Sequence, residues 1–295
     1  MSRLRLATRG SALARWQAEW VAAAIRAAAP EVDCELVVVS TEGDRRRDVP
    51  LEVIGGKGVF VKEIQAAVLD GRADVAVHSA KDLPAVGPDE LVIAAVPERE
   101  DPRDVLVGLP LDEIPDGGEV ATGSRRRAVQ LTERRPDLRI VGLRGNIGTR
   151  LAKAEEHHAV VAAAAALRRL GLTDRIAETL DVDVMIPQVG QGCLAIECRT
   201  ADAGTRRLLG DLDHGPSRRA LEAERAFLAE LGGDCDLPAG AHAVLRDGGV
   251  RLRALLAEGD GVRRVDLTGS DGPALGRQAA QLLREPGTGD DRDPA

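Results

Sequence analysis

Tyrosine is absent from this 295-residue sequence, and the other aromatic residues are only Trp16, Trp20, Phe60 and Phe227. The core must therefore be built from aliphatic side chains, and the hydrophobic fraction of 44% excludes a disordered chain. Residues 121–170 contain no aromatic side chain on which bases could stack, which argues against nucleic-acid binding by that segment.

Long apolar runs are missing as well. A membrane-spanning helix needs roughly 18 consecutive apolar residues, and no segment of the sequence approaches that length. The N-terminus shows neither the apolar region nor the cleavage site of an export signal. We therefore predict a soluble cytoplasmic protein without a membrane partner.

Paired cysteines are also lacking. The cysteines are Cys34, Cys193, Cys198 and Cys235, and none belongs to a Cys-x-x-Cys motif. Cysteine-rich zinc sites usually contain such motifs, and disulfides are rare in the cytoplasm. We expect reduced thiols and no metal ion.

The charge is unevenly distributed. The net charge is −8, which favours solubility and disfavours non-specific binding to nucleic acid. Residues 121–170 nevertheless hold eleven Lys or Arg against four Asp or Glu, a local charge of +7. This pattern indicates that an acidic protein holds a polyanion at one basic segment.

Apolar periodicity predicts a fold of the α/β class. Strands are predicted near Arg3–Thr8, Glu35–Ser40, Val75 and Leu91–Val96, and a helix capped by Ser11 follows the first. The proline-containing segments 97–102 and 187–192 are predicted to be crossovers between two α/β lobes. Alternation in Ala243–Leu245, Val250–Leu255 and Val262–Leu267 and a helix at residues 273–284 predict a small C-terminal α+β domain.

These patterns set the predicted domain limits. We assign residues 1–97 and 193–213 to a first α/β domain, residues 98–192 to a second, and residues 214–284 to the α+β domain. Residues 285–295 are predicted to be a disordered tail, and residues 41–50 an exposed mobile loop.

A polar run ends the predicted strand around Val75. His78, Ser79, Lys81 and Asp82 lie together there, before Pro84. Ligands of open α/β sheets bind at the carboxyl ends of strands, so the run is a candidate site. The alternative is a polar loop in which Lys81 and Asp82 are merely solvated.

The run His78-Ser-Ala-Lys-Asp-Leu-Pro84 closely resembles the HSxKDxP motif of porphobilinogen deaminases, also called hydroxymethylbilane synthases. Further matches follow in the order of that family. They are Gly55–Gly58, Glu100–Asp104, Glu133–Leu138, Leu143–Asn146, Val189–Gly192 and Gly233–Cys235. Together these matches are far more specific than any single one.

The resemblance implies a transferase that condenses four porphobilinogen molecules head to tail, with loss of ammonia, into hydroxymethylbilane. It also implies a covalent dipyrromethane cofactor, joined by a thioether to a cysteine, that serves as primer. Each ring carries an acetate and a propionate, so primer and substrate bring twelve carboxylates into one cleft. Arginine suits this task because its guanidinium grips carboxylates bidentately and stays charged.

By position in the family motifs, Asp82 matches the catalytic carboxylate and Cys235 the attachment thiol. A carboxylate can stabilise the positive charge that develops on a pyrrole as ammonia leaves. Residues that match the cofactor- and substrate-binding set are Arg9, Ser11, Ser79, Lys81, Thr122, Ser124, Arg126, Arg127, Arg144, Arg150, Arg169 and Gln191. For Arg125, Arg134, Arg135 and Arg168 we keep the simpler interpretation of a solvated surface.

The sequence departs from the family at the attachment site. Asp234 and Asp236 flank Cys235, where the family commonly has glycine before the cysteine. Neighbouring carboxylates disfavour the thiolate, so slower loading of the primer is expected. A buried, inert cysteine is the simpler alternative for Cys235.

One rival function uses the same architecture. Two α/β lobes joined by a double crossover also describe the type II periplasmic-binding-protein fold, whose members bind ligands without catalysis. The missing export signal favours the enzyme. We therefore expect a monomeric enzyme whose partners are porphobilinogen and the growing oligopyrrole chain.

Overall fold

A computed structural model describes residues 2–40, 61–232, 237–246, 248–258 and 261–285. The predictions for residues 41–50, for Gly55–Gly58, for Cys235 and for the tail from residue 286 lie outside the described residues. Within the described ranges, no helix is both long enough and apolar enough to cross a membrane.

Lobe 1 is built on a sheet with the strand order β2-β1-β3-β10-β4. Its elements are β1 (Ser2–Arg9), α1 (Ala12–Ala28), β2 (Val32–Val39), α2 (Lys62–Leu69), β3 (Val75–Ser79) and β4 (Leu91–Ala95), with β10 (Leu194–Arg199) and α6 (Ala203–Gly210) added later in the chain. Helices cover both faces of the sheet, because successive side chains of β1 point to opposite faces. Leu4 and Leu6 pack with α1, whereas Ala7 packs with α2.

Lobe 2 is built on a second sheet, with the order β7-β6-β8-β5-β9. Its elements are β5 (Asp104–Gly108), β6 (Glu119–Ala121), α3 (Arg125–Arg134), β7 (Arg139–Val141), α4 (Ile147–Ala152), β8 (Ala159–Ala163), α5 (Ala164–Arg169) and β9 (Glu178–Thr179). Leu131 of α3 packs on one face, and Leu151 and Leu167 of α4 and α5 pack on the other. Short 3-10 turns lie at Ala80–Asp82, Leu111–Glu113, Lys153–Glu156 and Thr173–Arg175.

The two sheets share one construction. In each five-stranded sheet, four strands run in one direction and one runs antiparallel to both of its neighbours. That strand is β10 between β3 and β4 in lobe 1, and β5 between β8 and β9 in lobe 2. Both antiparallel strands enter directly from the other lobe, β5 after β4 and β10 after β9. The predicted double crossover is therefore present, and each sheet is mixed because of the strand that it receives from the crossover.

A C-terminal unit follows α6. Helix α7 (Gly215–Glu230) precedes an antiparallel sheet of β11 (Ala239–Arg246), β12 (Gly249–Glu258) and β13 (Gly261–Gly269), and α8 (Gly272–Arg284) packs beside α7. Its core includes Phe227, which is fully buried, between the sheet and the two helices. This unit has the predicted α+β composition, and the residue limits assigned to all three domains stay predictions.

Local signals located most elements to within a few residues. Ser11 accepts a hydrogen bond from the backbone N–H of Ala14 and begins α1, as predicted. Strand β5 and helix α6 were not predicted, since Asp104–Gly108 is a short apolar run with no turn signal of its own after Pro102. The alanine-rich segment 159–170 divides into a buried strand and a short helix.

Close contact between α7 and α8 depends on Gly276. An added Cβ there would collide with the carbonyl oxygen of Ala223 and lie 2.8 Å from the backbone nitrogen of Phe227.

We expect Gly276→Ala to lower the free energy of unfolding by about 1–3 kcal/mol through overpacking. Gly210→Ala is the matched control, because that Cβ would meet nothing within 4 Å. Chemical denaturation of both variants measures the difference, and an unchanged midpoint for Gly276→Ala would contradict the packing described.

Candidate active site

Asp82 lies just beyond the carboxyl end of β3, in the 3-10 turn Ala80–Asp82. Ala80 and Leu83 are buried on either side, which leaves Lys81 and Asp82 half-buried at the surface of the cleft. The backbone N–H of Ala80 donates to the carbonyl of Cys193 at 3.0 Å, so the turn is held against the start of β10. Asp82 is therefore carried by a rigid element, as sites in α/β proteins commonly are.

The Asp82 pocket is the hollow between this turn and the start of α1. Its polar lining comes from Arg9, Ser11, Gln17, His78, Ser79 and Asp82. Three predicted site residues, Arg9, Ser11 and Ser79, thus lie together with Asp82. The start of α1 favours negative charge there, because its first N–H groups point outward.

Gln17 is a residue of this pocket that sequence reasoning missed. Its side-chain amide bonds the hydroxyl of Ser79, with Nε2 at 2.9 Å from Oγ, and it is 3% exposed. Gln17 lies beside the buried apolar residues Ala18 and Val21 of α1. A polar side chain among buried apolar positions of a helix was the available signal.

His78 is buried next to Glu197 of β10. Its Nε2 lies 3.1 Å from Glu197 Oε2, which also accepts a hydrogen bond from Gln65 Nε2 at 3.0 Å. Burial alone would raise the pKa of Glu197, but the contacts with His78 and Gln65 outweigh it and lower that pKa. His78, at the end of β3, thus lies beside a buried carboxylate of the neighbouring strand.

Asp104 forms the centre of a buried charge cluster in lobe 2. Its carboxylate is fully buried and accepts from Arg126 Nη2 at 2.7 Å and from Arg127 Nη2 at 2.7 Å. Gln191 Nε2 donates to the same carboxylate at 2.9 Å. Burial alone would raise the pKa of Asp104, but the two guanidinium groups and the Gln191 amide lower it strongly.

Arg126 and Arg127 are therefore held inside lobe 2 as well as being predicted substrate contacts. Arg126 Nη1 donates to the carbonyl of Ile186 at 2.6 Å, and Arg127 Nη1 to that of Val161 at 3.0 Å. Two guanidinium charges against one carboxylate leave an excess of one positive charge in the cluster. Their contact with a carboxylate of the substrate stays a prediction.

Gln191 connects this cluster to the turn that carries Asp82. Its Oε1 accepts from Lys81 Nζ at 3.3 Å while its amide nitrogen binds Asp104 and the carbonyl of Pro102. Lys81 and Gln191, both predicted site residues, are thus in contact, and Gln191 belongs to the second crossover. One side chain links the turn that carries Asp82 in lobe 1 to the Asp104 cluster of lobe 2.

Arg150 of α4 lies in the same electrostatic environment as Asp82. The pKa of its guanidinium is lowered by burial and by the charge of Arg127, and the carboxylate of Asp82 opposes this shift. Arg150 Nε donates to the carbonyl of Gly145 at 2.8 Å, and Asn146 caps the helix. The two lobes therefore bring Arg150 and Asp82 to one cleft.

The other predicted residues of lobe 2 have different surroundings. Ser124 caps α3, and its backbone N–H donates to Thr122 Oγ1 at 3.2 Å, so both hydroxyl groups belong to the loop before that helix. Arg144 is exposed. Arg169 is largely buried at the end of α5 and donates to the carbonyl of Gly192 at 2.7 Å.

Cys34, Cys193 and Cys198 are all buried. Burial raises the pKa of each thiol, to about 11 for Cys193 and for Cys198, so their thiolates are disfavoured. Cys235, the predicted attachment residue, lies outside the described residues.

Comparison with protein families gives two consecutive matches. Residues 4–207 match the family model described as "Porphobilinogen deaminase, dipyromethane cofactor binding domain". Residues 219–285 match the model described as "Porphobilinogen deaminase, C-terminal domain". The chain belongs to the porphobilinogen deaminase family.

Curated relatives are similar over nearly their whole length. The porphobilinogen deaminase of Syntrophotalea carbinolica is 46% identical over 291 residues, which cover 96% of this chain and 92% of that protein. The porphobilinogen deaminase of Brevibacillus brevis is 45% identical over 298 residues, with coverages of 98% and 96%. The resemblance found in the sequence motifs is thereby confirmed for the family.

Solved structures align less closely. The periplasmic VFT2 domain of BvgS from Bordetella pertussis is 18% identical, with a TM-score of 0.43, over 76% of this chain and 92% of that chain. The effector binding domain of BenM with its effector benzoate gives 14% identity, a TM-score of 0.42 and coverages of 78% and 94%. The two-lobed architecture of this deaminase-family chain rests on its strand order and crossovers.

A second buried ion pair lies where the crossovers of this deaminase-family chain meet the C-terminal unit. Arg99, in the first crossover, donates to Glu224 of α7 at 2.6 Å and to the carbonyl of Gln191 at 2.8 Å. Glu224 also accepts from the backbone N–H groups of Gly190 and Ala243, at 2.7 and 2.8 Å. Sequence reasoning missed this cluster, which joins both crossovers to β11.

His242 of β11 adjoins the Arg99–Glu224 pair. Burial and the charge of Arg99 lower its pKa to about 4, with Glu224 opposing the shift. Unfolding returns His242 to an ordinary pKa near 6.5, so the unfolded chain binds more protons between these values. This contribution to stability is complete above about pH 6.5 and is lost as the pH falls towards 4.

We expect the free energy of unfolding to fall by as much as about 3 kcal/mol between pH 6.5 and 4 because of His242 alone. His242→Gln, which keeps a polar side chain without this titration, should show a shallower fall over that window. Denaturant unfolding at a series of pH values measures both slopes. Identical slopes for the two proteins would contradict the lowered pKa of the half-buried His242.

Proposed function

We propose that this chain condenses four porphobilinogen molecules head to tail, with loss of ammonia, into hydroxymethylbilane. The observation that carries the proposal is the position of Asp82, in a member of the porphobilinogen deaminase family, at a cleft that it shares with Arg150 of the other lobe. A non-catalytic binding protein is not proposed, since the curated relatives are named as deaminases.

The donors around the cleft fit the dipyrromethane cofactor that the family implies. Two pyrrole rings bring four carboxylates, and the described residues offer guanidinium, ammonium and hydroxyl groups on both lobes. Arg126 Nε is buried without a hydrogen-bond partner among the described residues, and its cluster has an excess positive charge. When bound, the cofactor supplies the terminal pyrrole carbon to which the next ring is joined.

Two groups of residues would hold the carboxylates. On lobe 1 they are Arg9, Ser11, Ser79 and Lys81, and on lobe 2 Thr122, Ser124, Arg126, Arg127, Arg144, Arg150 and Arg169, with Gln191 between them. Charge-assisted hydrogen bonds to carboxylates are stronger than neutral ones. Arg150 suits a direct contact best. Its guanidinium interacts with the charge of Asp82, and burial is the main cause of its lowered pKa. Arg127, in contrast, already forms an ion pair with Asp104 at 2.7 Å.

Asp82 would be the catalytic residue. Departure of ammonia from porphobilinogen leaves positive charge on the pyrrole, and attack by the next ring carbon creates positive charge again. A fixed carboxylate beside the pyrrole N–H stabilises both charges and can relay the proton released when the aromatic ring is restored. The same carboxylate serves every addition, because each addition repeats the same charge development.

Cys235 would carry the cofactor through a thioether. The raised pKa values of the three buried thiols support this assignment by making those thiols poor nucleophiles. Asp234 and Asp236 would slow the loading step by disfavouring the Cys235 thiolate.

We also propose a cytoplasmic monomer that binds no nucleic acid. The low aromatic content and the net charge of −8 support the absence of a nucleic-acid partner. The basic segment at residues 121–170 would serve the polycarboxylate chain instead.

Asp82→Asn should keep the fold and the primer but lower turnover by about 10² to 10³, because the amide removes the charge that stabilises the developing cation. Steady-state formation of hydroxymethylbilane and the denatured mass of the protein measure these two properties. Asp89→Asn, at an exposed position of the same lobe, is the matched control. Turnover near that of the wild type in Asp82→Asn would contradict the assignment.

Cys235→Ser should lack the mass of a covalent dipyrromethane, because a serine hydroxyl is a far weaker nucleophile than a thiolate. Intact mass under denaturing conditions and peptide mapping of the wild type measure the adduct and its position. An adduct mapped to Cys34, Cys193 or Cys198 would show that the attachment residue is misassigned.

A further inference from the structure

A second pocket lies between the lobes, on the side of α1 that faces lobe 2. Helix α1 contributes Ala12, Arg15, Trp16 and Glu19 to its lining. The end of α5 contributes Arg168 and Arg169, followed by Leu170 and Gly171. We call it the interlobe pocket; it is open to solvent and separate from the Asp82 pocket.

The lining combines positive charge with an aromatic surface. Arg15, Arg168 and Arg169 against Glu19 leave an excess of two positive charges. Trp16 is half-buried beside Ala12, so a flat apolar surface lies next to the guanidinium groups. A planar ring that carries carboxylates matches both features, by stacking on the indole and by ion pairing with arginine.

Each arginine keeps donors for a ligand. Arg168 pairs through Nη2 with Asp101 at 3.0 Å and through Nη1 with Glu100 at 3.6 Å, and Arg169 uses Nη2 for the carbonyl of Gly192 at 2.7 Å. Among the described residues, no ion pair engages the guanidinium of Arg15, which lies on an exposed position. Since a guanidinium has five N–H groups, all three residues can bind a carboxylate without losing these contacts.

The two pockets meet at the start of α1. Ser11 lines the Asp82 pocket and the next residue, Ala12, lines the interlobe pocket. From Ala12 to Glu19 the helix rises by roughly 10 Å, about two turns. A chain that grows at Asp82 must move its earlier rings away from that carboxylate, and the interlobe pocket is a charged space directly beside it.

We propose that the interlobe pocket is a subsite for carboxylated pyrrole rings of the elongating chain, with Trp16 under a ring and Arg15, Arg168 and Arg169 on its carboxylates. This inference rests on the proposed function and extends it to three residues outside the site predicted from the sequence: Arg15, Trp16 and Arg168, the last of which was predicted to be solvated. The subsite fills only after the chain has outgrown the Asp82 pocket. The later additions therefore depend on it more than the first.

Trp16 and Trp20 allow a direct measurement, because they are the only tryptophans of the chain. In Trp20→Phe the emission reports Trp16, and in Trp16→Phe it reports Trp20, which does not line the pocket. Porphobilinogen is added to the primed protein in one-equivalent steps, and denaturing mass spectra identify the number of rings bound. Trp16 emission should fall as the species with several added rings accumulate, whereas Trp20 emission should not follow them.

Rates of the separate additions test the residues. We expect Trp16→Leu to slow the last additions by about two- to tenfold through loss of ring stacking. Arg15→Gln should slow them by about two- to fivefold, a modest effect because an exposed ion pair is weakened by solvent. Arg72→Gln is the control, since it removes an exposed charge from lobe 1 away from both pockets.

The possible results separate the two proposals. A wild-type protein that gains no covalent mass from porphobilinogen overturns the proposed function and this inference with it. Normal elongation with unchanged Trp16 emission, and with equal rates in Arg15→Gln, Trp16→Leu and Arg72→Gln, overturns the inference alone. Equal slowing of the first and last additions in Trp16→Leu also overturns it, because a general structural defect would act on every step.

Discussion

The carboxylate of Asp104 is a charge removed completely from water, and the geometry of the cleft depends on how that charge is compensated. Such a group is stable only when partners replace its hydration. Here the partners are Arg126 and Arg127 of α3 and Gln191 of the second crossover. The hydrogen bonds to this one carboxylate therefore connect lobe 2 to the crossover. Gln191 also reaches Lys81, and the turn of Asp82 is thereby tied to the same cluster.

A second buried charge acts in the same way at the other end of the crossovers. Glu224 binds Arg99 from the first crossover and the backbone of Gly190 from the second. Both connecting segments are thus bound to ionic clusters whose disruption would leave an uncompensated buried charge. A cleft that contains several arginines needs such fixed connections, because the like charges of the guanidinium groups repel one another.

The sequence was sufficient to predict features that depend on neighbouring residues, such as helix starts and connecting segments. Ser11 caps the helix that it was expected to begin, and the proline-containing segments mark both crossovers. The polar run after β3 and the family motifs together named Asp82, Arg9, Ser11 and Ser79, which the structure places in one pocket. The missed contacts join distant residues: Gln17 and Ser79 are 62 positions apart, Asp104 and Gln191 87, and Arg99 and Glu224 125. No spacing rule predicts them, since they exist only after the lobes have folded.

The exchange of antiparallel strands between the lobes sets an order for synthesis on the ribosome. The sheet of lobe 2 is complete once β9 has emerged, at Thr179, because all its strands lie between Asp104 and that residue. The sheet of lobe 1 begins first but has a gap between β3 and β4 until β10 emerges at Leu194–Arg199. The nascent chain therefore exposes two unpaired strand edges of lobe 1 while lobe 2 folds, and such edges are prone to pair wrongly. The half of the protein made first is the half that finishes later.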